Sequence, residues 1–327
     1  MALGRIIIIR PDHLGDLILS LPVAQTIRER YPNSHISYLA ASGPSGISEL
    51  VDYVDDWLID SGTEGRSLTI VELSRKLSEQ KFDCSIELKP SWRTSLATFK
   101  TQIPIRIGTS RRFYSFLYNH RVNIRRKSSG FHQTDLDLAL LRPLGINIDG
   151  IFPKLVVGER HKLAARKLVG DRINRYIVIH PGSSGSSPNW PESSFRKLAE
   201  LILSKAHFAV VITGQENQRP FEGCINLGGK TSSVGELAGV ISGAALFISG
   251  NTGPLHLADA LGIRCLSFIL NRADIGVERW GPRRNLDTVM RPAAECLCQD
   301  MNQCRCLEQI KLEMVFERVN SLLENNN

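Results

Sequence analysis

The run from Phe247 to Ala260, FISGNTGPLHLADA, constrains the fold of this chain more than any other stretch. Residues 244–248 are apolar and predict a short buried strand, whereas residues 250–253 are too rich in glycine for either regular element. Pro254 suits the first turn of a helix. A strand that turns sharply into a helix is typical of an α/β domain.

The same turn offers a candidate anion site. Thr252 and Gly253 place backbone N–H groups and a hydroxyl at the N-terminus of the predicted helix, where the helix dipole favours a diphosphate. His256 falls in the first helical turn. An ordinary capped helix is the alternative, so the prediction depends on the rest of the chain.

Two halves of the chain follow one plan. Residues 5–9 are an aliphatic run that ends in the polar loop RPDHLGD, and residues 176–179 are another that ends in HPGSSG. Each run predicts a buried strand of a parallel sheet that is followed by a helix. We predict an α/β protein with two doubly wound, Rossmann-like domains, residues 1–155 and 156–327, that face a central cleft.

The remaining elements follow from the same patterns. Within the first helix, Ser20 is predicted to cap the main part, with Pro22 in its first turn. Further strands are predicted at residues 36–40, 57–59, 84–88, 105–107, 209–213, 225–227 and 265–269.

Composition narrows the function classes. The apolar run at residues 6–9 is too short for a signal peptide, and no run approaches the ~18 residues of a membrane span. We therefore expect a cytoplasmic protein.

The net charge of +7 is concentrated between Glu87 and Asp135, which enclose ten Lys and Arg residues and no acidic residue. Such a segment attracts phosphate-bearing partners, although a solubilising surface is the alternative.

An ordered set of motifs covers nearly the whole chain. They are RPDHLGD at residues 10–16, Leu21-Pro22, Tyr31-Pro32, HPGS at 180–183, Trp190-Pro191, GKT at 229–231 and NTGPLH at 251–256. Together they resemble glycosyltransferase family nine, whose best-known members are ADP-heptose:lipopolysaccharide heptosyltransferases. The resemblance implies a GT-B fold, an N-terminal acceptor domain, a C-terminal nucleotide-sugar domain and inversion at the anomeric carbon. It implies no catalytic metal, and no cofactor is predicted.

The resemblance also assigns roles. Its catalytic Asp falls on Asp16, which would take the proton of the acceptor hydroxyl. Helix capping is the alternative role, with Asp12 as the competing carboxylate and His13 as a loop contact. Residues expected to bind the donor are Ser183, Ser184, Lys230, Asn251, Thr252, Gly253 and His256. Residues expected to bind an anionic acceptor are Arg111, Arg112, Arg125 and Arg126.

Three positions depart from the family pattern. Pro188 stands where a phosphate-binding lysine is common, Asn251 where an Asp is common, and Gln218 near the expected ribose-binding acid. These departures indicate an altered donor pocket and leave the donor less certain than the transferase class.

Four cysteines lie close together near the C-terminus, at positions 296, 298, 304 and 306. Four thiolates are able to bind zinc or iron. Because the Cys-x-Cys spacing is tighter than the usual knuckle spacing, unpaired thiols are favoured over a metal site.

The expected partners are therefore a nucleotide-sugar donor and an anionic glycan or lipid-linked acceptor, with peripheral contact to the inner membrane. Nucleic acid is disfavoured because the basic segment carries no recognition motif. A non-catalytic nucleotide-sugar-binding protein and a nucleotide-sugar epimerase remain alternatives.

Overall fold

The computed structural model describes residues 3–62, 65–126, 130–146, 150–183, 185, 187–206, 208–216 and 218–324. The chain forms two compact units, Met1–Lys154 and Leu155–Asn327. Among the described residues, no helix combines the length and the apolar character that crossing a bilayer requires.

The N-terminal unit is built around a parallel sheet. Its strands are β1 (Arg5–Arg10), β2 (His35–Ala40), β3 (Asp56–Ile59), β4 (Cys84–Glu87), β5 (Ile105–Thr109) and β6 (His120–Val122). Its α-helices are α1 (Leu14–Arg30), α2 (Ile70–Gln80), α3 (Trp92–Lys100) and α4 (Gln133–Leu138). The six strands lie in the order β3-β2-β1-β4-β5-β6.

The C-terminal unit has a second parallel sheet. Its strands are β7 (Tyr176–His180), β8 (Ala209–Ile212), β9 (Ile225–Asn226), β10 (Leu246–Gly250), β11 (Cys265–Phe268) and β12 (Val289–Met290). Its α-helices are α5 (Glu159–Val169), α6 (Glu192–Leu201), α7 (Val234–Ser242), α8 (Gly253–Ala260), α9 (Val277–Trp280) and α10 (Leu312–Glu324). The strand order is β12-β11-β10-β7-β8-β9.

Both sheets have the same winding. Counted from its own first strand, each runs 3-2-1-4-5-6, which is the order of a doubly wound dinucleotide-binding fold. The prediction of two Rossmann-like α/β domains is therefore confirmed. In such sheets ligands bind beyond the carboxyl ends of the strands where the winding reverses. These points lie between β1 and β4 in one sheet and between β7 and β10 in the other.

The apolar sequence of β1 follows from its position in the centre of the sheet. The side chains of Ile6, Ile7, Ile8 and Ile9 are all fully buried, because helices cover both faces of a parallel sheet.

The first helix differs from its prediction. It begins at Leu14, so Ser20 and Pro22 lie inside it. Instead of capping the helix, the Ser20 hydroxyl donates to the Leu17 carbonyl at 2.7 Å.

The core of the C-terminal unit includes its last helix. Val315, Val319, Leu322 and Leu323 of α10 are buried with the inner face of the sheet and with Trp190. The Trp190 indole N–H donates to the carbonyl of Ile310 at 3.0 Å, which fixes the segment before α10 against this core. The last thirteen-residue helix is therefore a structural part of the second unit.

The packing of α5 against α7 gives a prediction. A Cβ at Gly239 would come within 2.4 Å of the His161 carbonyl oxygen. We expect Gly239→Ala to lower the free energy of unfolding by about 1–3 kcal/mol, because the helices must move apart. Denaturant titration measures the loss. Gly43→Ala, whose Cβ meets nothing within 4 Å, is the control. Equal stability of both variants would show that α5 and α7 do not pack this closely.

Candidate functional site

A buried arginine organises the carboxyl end of β1. Only 2% of the Arg10 side chain is exposed, and its guanidinium contacts three carboxylates: Asp137 at 3.0 Å, Asp16 at 2.6 Å and Asp12 at 3.5 Å. Burial disfavours the charged guanidinium, but the attraction of these carboxylates outweighs it and raises the pKa of Arg10. A permanent positive charge is thus held at the point where the winding reverses.

Asp16 is the most accessible of the three carboxylates, with 24% of its side chain exposed. It lies in the first turn of α1 but makes no capping hydrogen bond there, so its contact is with Arg10 rather than with the helix end. Burial raises the pKa of Asp16, and Arg10 opposes that rise. A partly exposed carboxylate with a raised pKa is suited to accept a proton near neutral pH.

Asp12 and His13 have structural contacts. Asp12 accepts from the Lys89 ammonium at 2.8 Å and from the backbone N–H of His13 at 3.0 Å. His13 is the residue that precedes α1, and its side chain is exposed. Asp12 therefore joins the loop after β1 to the loop after β4.

The sequence analysis missed the inner partners of Arg10. Asp137 of α4 is fully buried and also accepts from Gln133 at 3.0 Å and from Arg126 at 3.3 Å. The only sequence signal was an Asp set between leucines at positions 136 and 138. Arg126 also donates to the Leu88 carbonyl, so it is part of this buried network and differs from the exposed arginines with which it was grouped.

A second buried carboxylate lies on the neighbouring strand. Glu87 ends β4 and accepts from Ser95 at 3.0 Å, Tyr118 at 2.8 Å and the backbone of Ser91 at 3.1 Å. The Thr94 hydroxyl also donates to it. Burial raises the pKa of Glu87 to about 7. Because protein donors surround both oxygens, we assign Glu87 to holding the start of α3 in place.

The basic segment separates into anchored and exposed side chains. Arg93 pairs with Asp60, and Arg106 donates to the carbonyls of Leu117 and Ile103. The exposed side chains include Arg111, Arg112 and Arg125.

Aromatic side chains accompany these exposed arginines. Phe113 is 80% exposed and Phe116 is 60% exposed. The Phe113 ring stacks on Trp92, which is 42% exposed, with the ring centroids 5.7 Å apart. Trp92 follows β4 and Phe113 follows β5, so this surface lies at the carboxyl edge of the first sheet. We call Trp92, Arg111, Arg112, Phe113 and Phe116 the aromatic–basic surface.

In the second unit, the predicted strand–turn–helix is present with a shorter connection. Gly250 is the last residue of β10 and Gly253 the first of α8, so only Asn251 and Thr252 connect them. Thr252 is the residue before the helix and makes no side-chain capping bond. Of the first three residues of α8, Pro254 has no N–H and the Leu255 N–H donates to the Thr252 carbonyl at 3.1 Å, so Gly253 is the one whose N–H is adjacent to the Thr252 hydroxyl without that bond.

Two buried oxygens at this turn make no hydrogen bond within the described part of the chain. They are Oγ1 of Thr252 and Oδ1 of Asn189. A Cβ at Gly250 would come within 2.5 Å of the Asn189 oxygen, so the Asn189 side chain lies directly against the end of β10. Buried polar atoms of native proteins are normally hydrogen-bonded, so these two oxygens are able to accept a hydrogen bond from a water or a ligand. The sequence analysis did not single out Asn189.

Other predicted donor residues lie in α8 or follow β7, the strand next to β10. The Ser183 hydroxyl follows β7 and lies 3.3 Å from the Ser187 carbonyl, to which it donates. His256 is 5% exposed, in the first turn of α8. His180, which ends β7, lies 3.0 Å from the Thr213 hydroxyl, and burial lowers its pKa to about 4, so it is neutral at pH 7. Ser184 lies outside the described residues.

Lys230 lies farther from the turn. It follows β9, the edge strand two positions away from β7, and its side chain is exposed. Lys230 is therefore an exposed cation at the edge of the second sheet.

The departures from the family pattern have local structural correlates. The Asn251 amide donates to the Ile275 carbonyl at 3.4 Å, a bond that a carboxylate at this position has no proton to make. Pro188 is buried. Gln218 reaches back to Gly214, where a Cβ would come within 2.3 Å of its side-chain oxygen. Asn251 and Gln218 therefore contact the protein's own loops.

Comparison with known proteins gives a family match. The model of glycosyltransferase family 9 (heptosyltransferase) matches residues 70–307, which is more than half of the chain. The chain is 26% identical over 282 residues to lipopolysaccharide heptosyltransferase 3 of Escherichia coli, covering 78% of this chain and 79% of that protein.

Solved structures share the fold over the full length. A glycosyl transferase family 9 structure from Veillonella parvula has a TM-score of 0.81 and 21% identity, and each chain is covered to 99%. The structure of E. coli ADP-heptose lps heptosyltransferase II also has a TM-score of 0.81, with 19% identity and coverage of 98% of this chain and 99% of that one. These matches support the GT-B fold class.

Proposed function

The chain belongs to glycosyltransferase family 9, and from this premise we propose that it transfers heptose from ADP-heptose to an acceptor of the lipopolysaccharide core, with inversion at the anomeric carbon. The observation that carries the proposal is Asp16, a partly exposed carboxylate held by a buried arginine where the first sheet reverses its winding. The names of the E. coli relatives support the choice of heptose and of the lipopolysaccharide acceptor.

In this proposal the N-terminal unit activates the acceptor. An acceptor hydroxyl becomes nucleophilic as Asp16 takes its proton, and the new glycosidic bond forms at the anomeric carbon while the bond to the diphosphate breaks. Arg10 is a positioning residue because it holds one oxygen of Asp16 at 2.6 Å and limits the rise of its pKa.

The C-terminal unit receives the leaving diphosphate in this proposal. Developing negative charge on the leaving group is stabilised by the N-terminus of α8 and by a hydrogen bond from the Thr252 hydroxyl. The Asn189 side-chain oxygen is an acceptor and fits a sugar hydroxyl of the donor. Both atoms are buried and without a hydrogen bond in the described chain, so the ligand would supply the missing partners.

The first prediction concerns Asp16. Asp16→Asn keeps the side-chain shape but removes the basicity, so we expect turnover to fall about 10²- to 10⁴-fold with donor affinity nearly unchanged. Asp12→Asn is the matched control and should lose far less turnover. The acid limb of kcat/KM in the unmodified enzyme should lie above the range of an ordinary Asp, because burial raises the pKa of Asp16 and activity is lost as pH falls through it.

Product formation measured by mass spectrometry tests this assignment. Wild-type turnover in Asp16→Asn would remove Asp16 as the base. If the unmodified protein binds ADP-heptose but does not turn it over with any acceptor tested, the non-catalytic alternative is correct.

The second prediction concerns donor affinity. Thr252→Val removes a hydroxyl that we assign to a charged phosphate, so ADP-sugar binding should weaken by about 1.5–3 kcal/mol in calorimetry. The melting temperature should stay the same, because Thr252 Oγ1 makes no hydrogen bond in the described chain. Thr252→Ser retains the hydroxyl and should keep most of the affinity. Unchanged affinity in Thr252→Val would place the diphosphate elsewhere.

We assign acceptor binding and peripheral contact with the inner membrane to the aromatic–basic surface. Arginine guanidinium groups form forked hydrogen bonds with phosphate, and exposed Trp and Phe rings pack against apolar chains. A phosphorylated, lipid-linked saccharide offers both chemistries. Arg126 is left out of this surface because it is anchored to Asp137.

The third prediction tests this surface. Arg111→Glu combined with Arg112→Glu should raise the acceptor KM and weaken binding to anionic vesicles, with donor affinity unchanged. The control carries the same charge change on α2 and its end, Arg75→Glu combined with Lys81→Glu, both of which are exposed. If both pairs behave alike, the aromatic–basic surface is only a solubilising surface.

A further inference from the structure

The four C-terminal cysteines converge on one point. The Sγ atoms of Cys296, Cys298, Cys304 and Cys306 all lie within 4.8 Å of one another. The closest contacts cross between the two Cys-x-Cys arms, with 3.6 Å between Cys296 and Cys304 and 3.8 Å between Cys298 and Cys306. Spacing in the sequence favoured unpaired thiols, but the folded geometry favours a common ligand.

These distances match a tetrahedral thiolate site. With metal–sulfur bonds of about 2.3 Å, the sulfur atoms at the corners of a tetrahedron are about 3.8 Å apart. We propose that the four cysteines bind one thiophilic metal ion, zinc or iron, as a structural tetrathiolate centre. Both ions are known in such tetrahedral sulfur sites.

Local backbone structure brings the two arms together. Between them the chain reverses through the single turn Met301–Gln303, whose start is capped by Asp300, which accepts from the Asn302 N–H at 2.9 Å. The Cys296 N–H donates to the Asn271 carbonyl at 2.8 Å, which ties the first arm to the loop after β11. The four cysteines are free thiols and form no disulfide in this arrangement.

The cluster packs against the hydrophobic core of the second unit. Cys296 is part of the hydrophobic core of the unit, and the other three cysteines pack against that core. The Arg272 guanidinium donates to the Cys298 carbonyl and lies 4.0 Å from the Met301 sulfur. The same guanidinium pairs with Asp274 at 2.6 Å, so its contribution here is to hold the backbone of Cys298 in place.

The segment between β12 and α10 has little regular secondary structure. Residues 291–311 contain only two short 3₁₀ turns, although loops of this length are uncommon in compact domains. A metal ion that joins residues 296–306 would hold this segment against the core, and its binding free energy would add to that of folding.

The test is the metal content of the full chain, purified under reducing conditions without chelators or a metal-affinity column. We expect one ion per chain by elemental analysis, with Cys304→Ser losing it and Cys224→Ser retaining it. Cys224 is half-buried in the same unit and lies outside the cluster. The element found distinguishes zinc from iron.

A second measurement does not depend on the variants. X-ray absorption of the bound metal should show only sulfur neighbours, and a mercurial thiol reagent should release the ion from the unmodified protein. Two outcomes would overturn the proposal. One is a metal-free protein that also fails to take up Co²⁺ as a tetrahedral thiolate complex. The other is a chain in which four of the seven cysteines are paired as disulfides.

Discussion

The hydrogen-bonding order of the two parallel sheets is the constraint on which the rest of this protein depends. Because both sheets reverse their winding at the same relative position, the carboxyl ends of β1 and β4, and of β7 and β10, open a gap in the covering helices. Polar groups of each candidate site lie at these strand ends: Arg10, which pairs with Asp16, ends β1, and Asn251 and Thr252 follow β10. The two units thus place their candidate sites at the same position of the same sheet topology.

The groups at this position differ in charge between the two units. In the first unit a buried cation is surrounded by carboxylates, and removing one partner of such a pair costs about 3–5 kcal/mol because a charge is left unpaired. The position of Asp16 is therefore tied to the stability of the unit. In the second unit the turn holds uncharged groups, the Thr252 hydroxyl and the Asn189 amide, with neutral His180 nearby. The proposed diphosphate site therefore relies on the helix dipole and on hydroxyl and amide groups.

Local patterns predicted the fold well, and tertiary contacts explain what they missed. Continuous apolar runs identified the central strands, since both faces of those strands are buried. The edge strands β6 and β12 are only three and two residues long and carry no such pattern. Ser20 and Pro22 indicated a helix start, but burial of α1 against the sheet extends the helix over both. Asp137 and Asn189 lie far along the chain from their sites, so no local spacing indicated them. The same limit applies to the cysteines, whose distances depend on how one loop folds back.

The place of α10 in the core has a consequence for synthesis on the ribosome. The N-terminal unit contains every strand of its own sheet, so it is able to fold while the second unit is still being made. The second unit is able to complete its core only after α10 has been synthesised. Until Val315, Val319, Leu322 and Leu323 have emerged, the apolar face formed by Trp190, Phe195 and Phe268 has no cover. During that interval these apolar side chains are exposed to solvent, where incompletely folded chains are prone to aggregate.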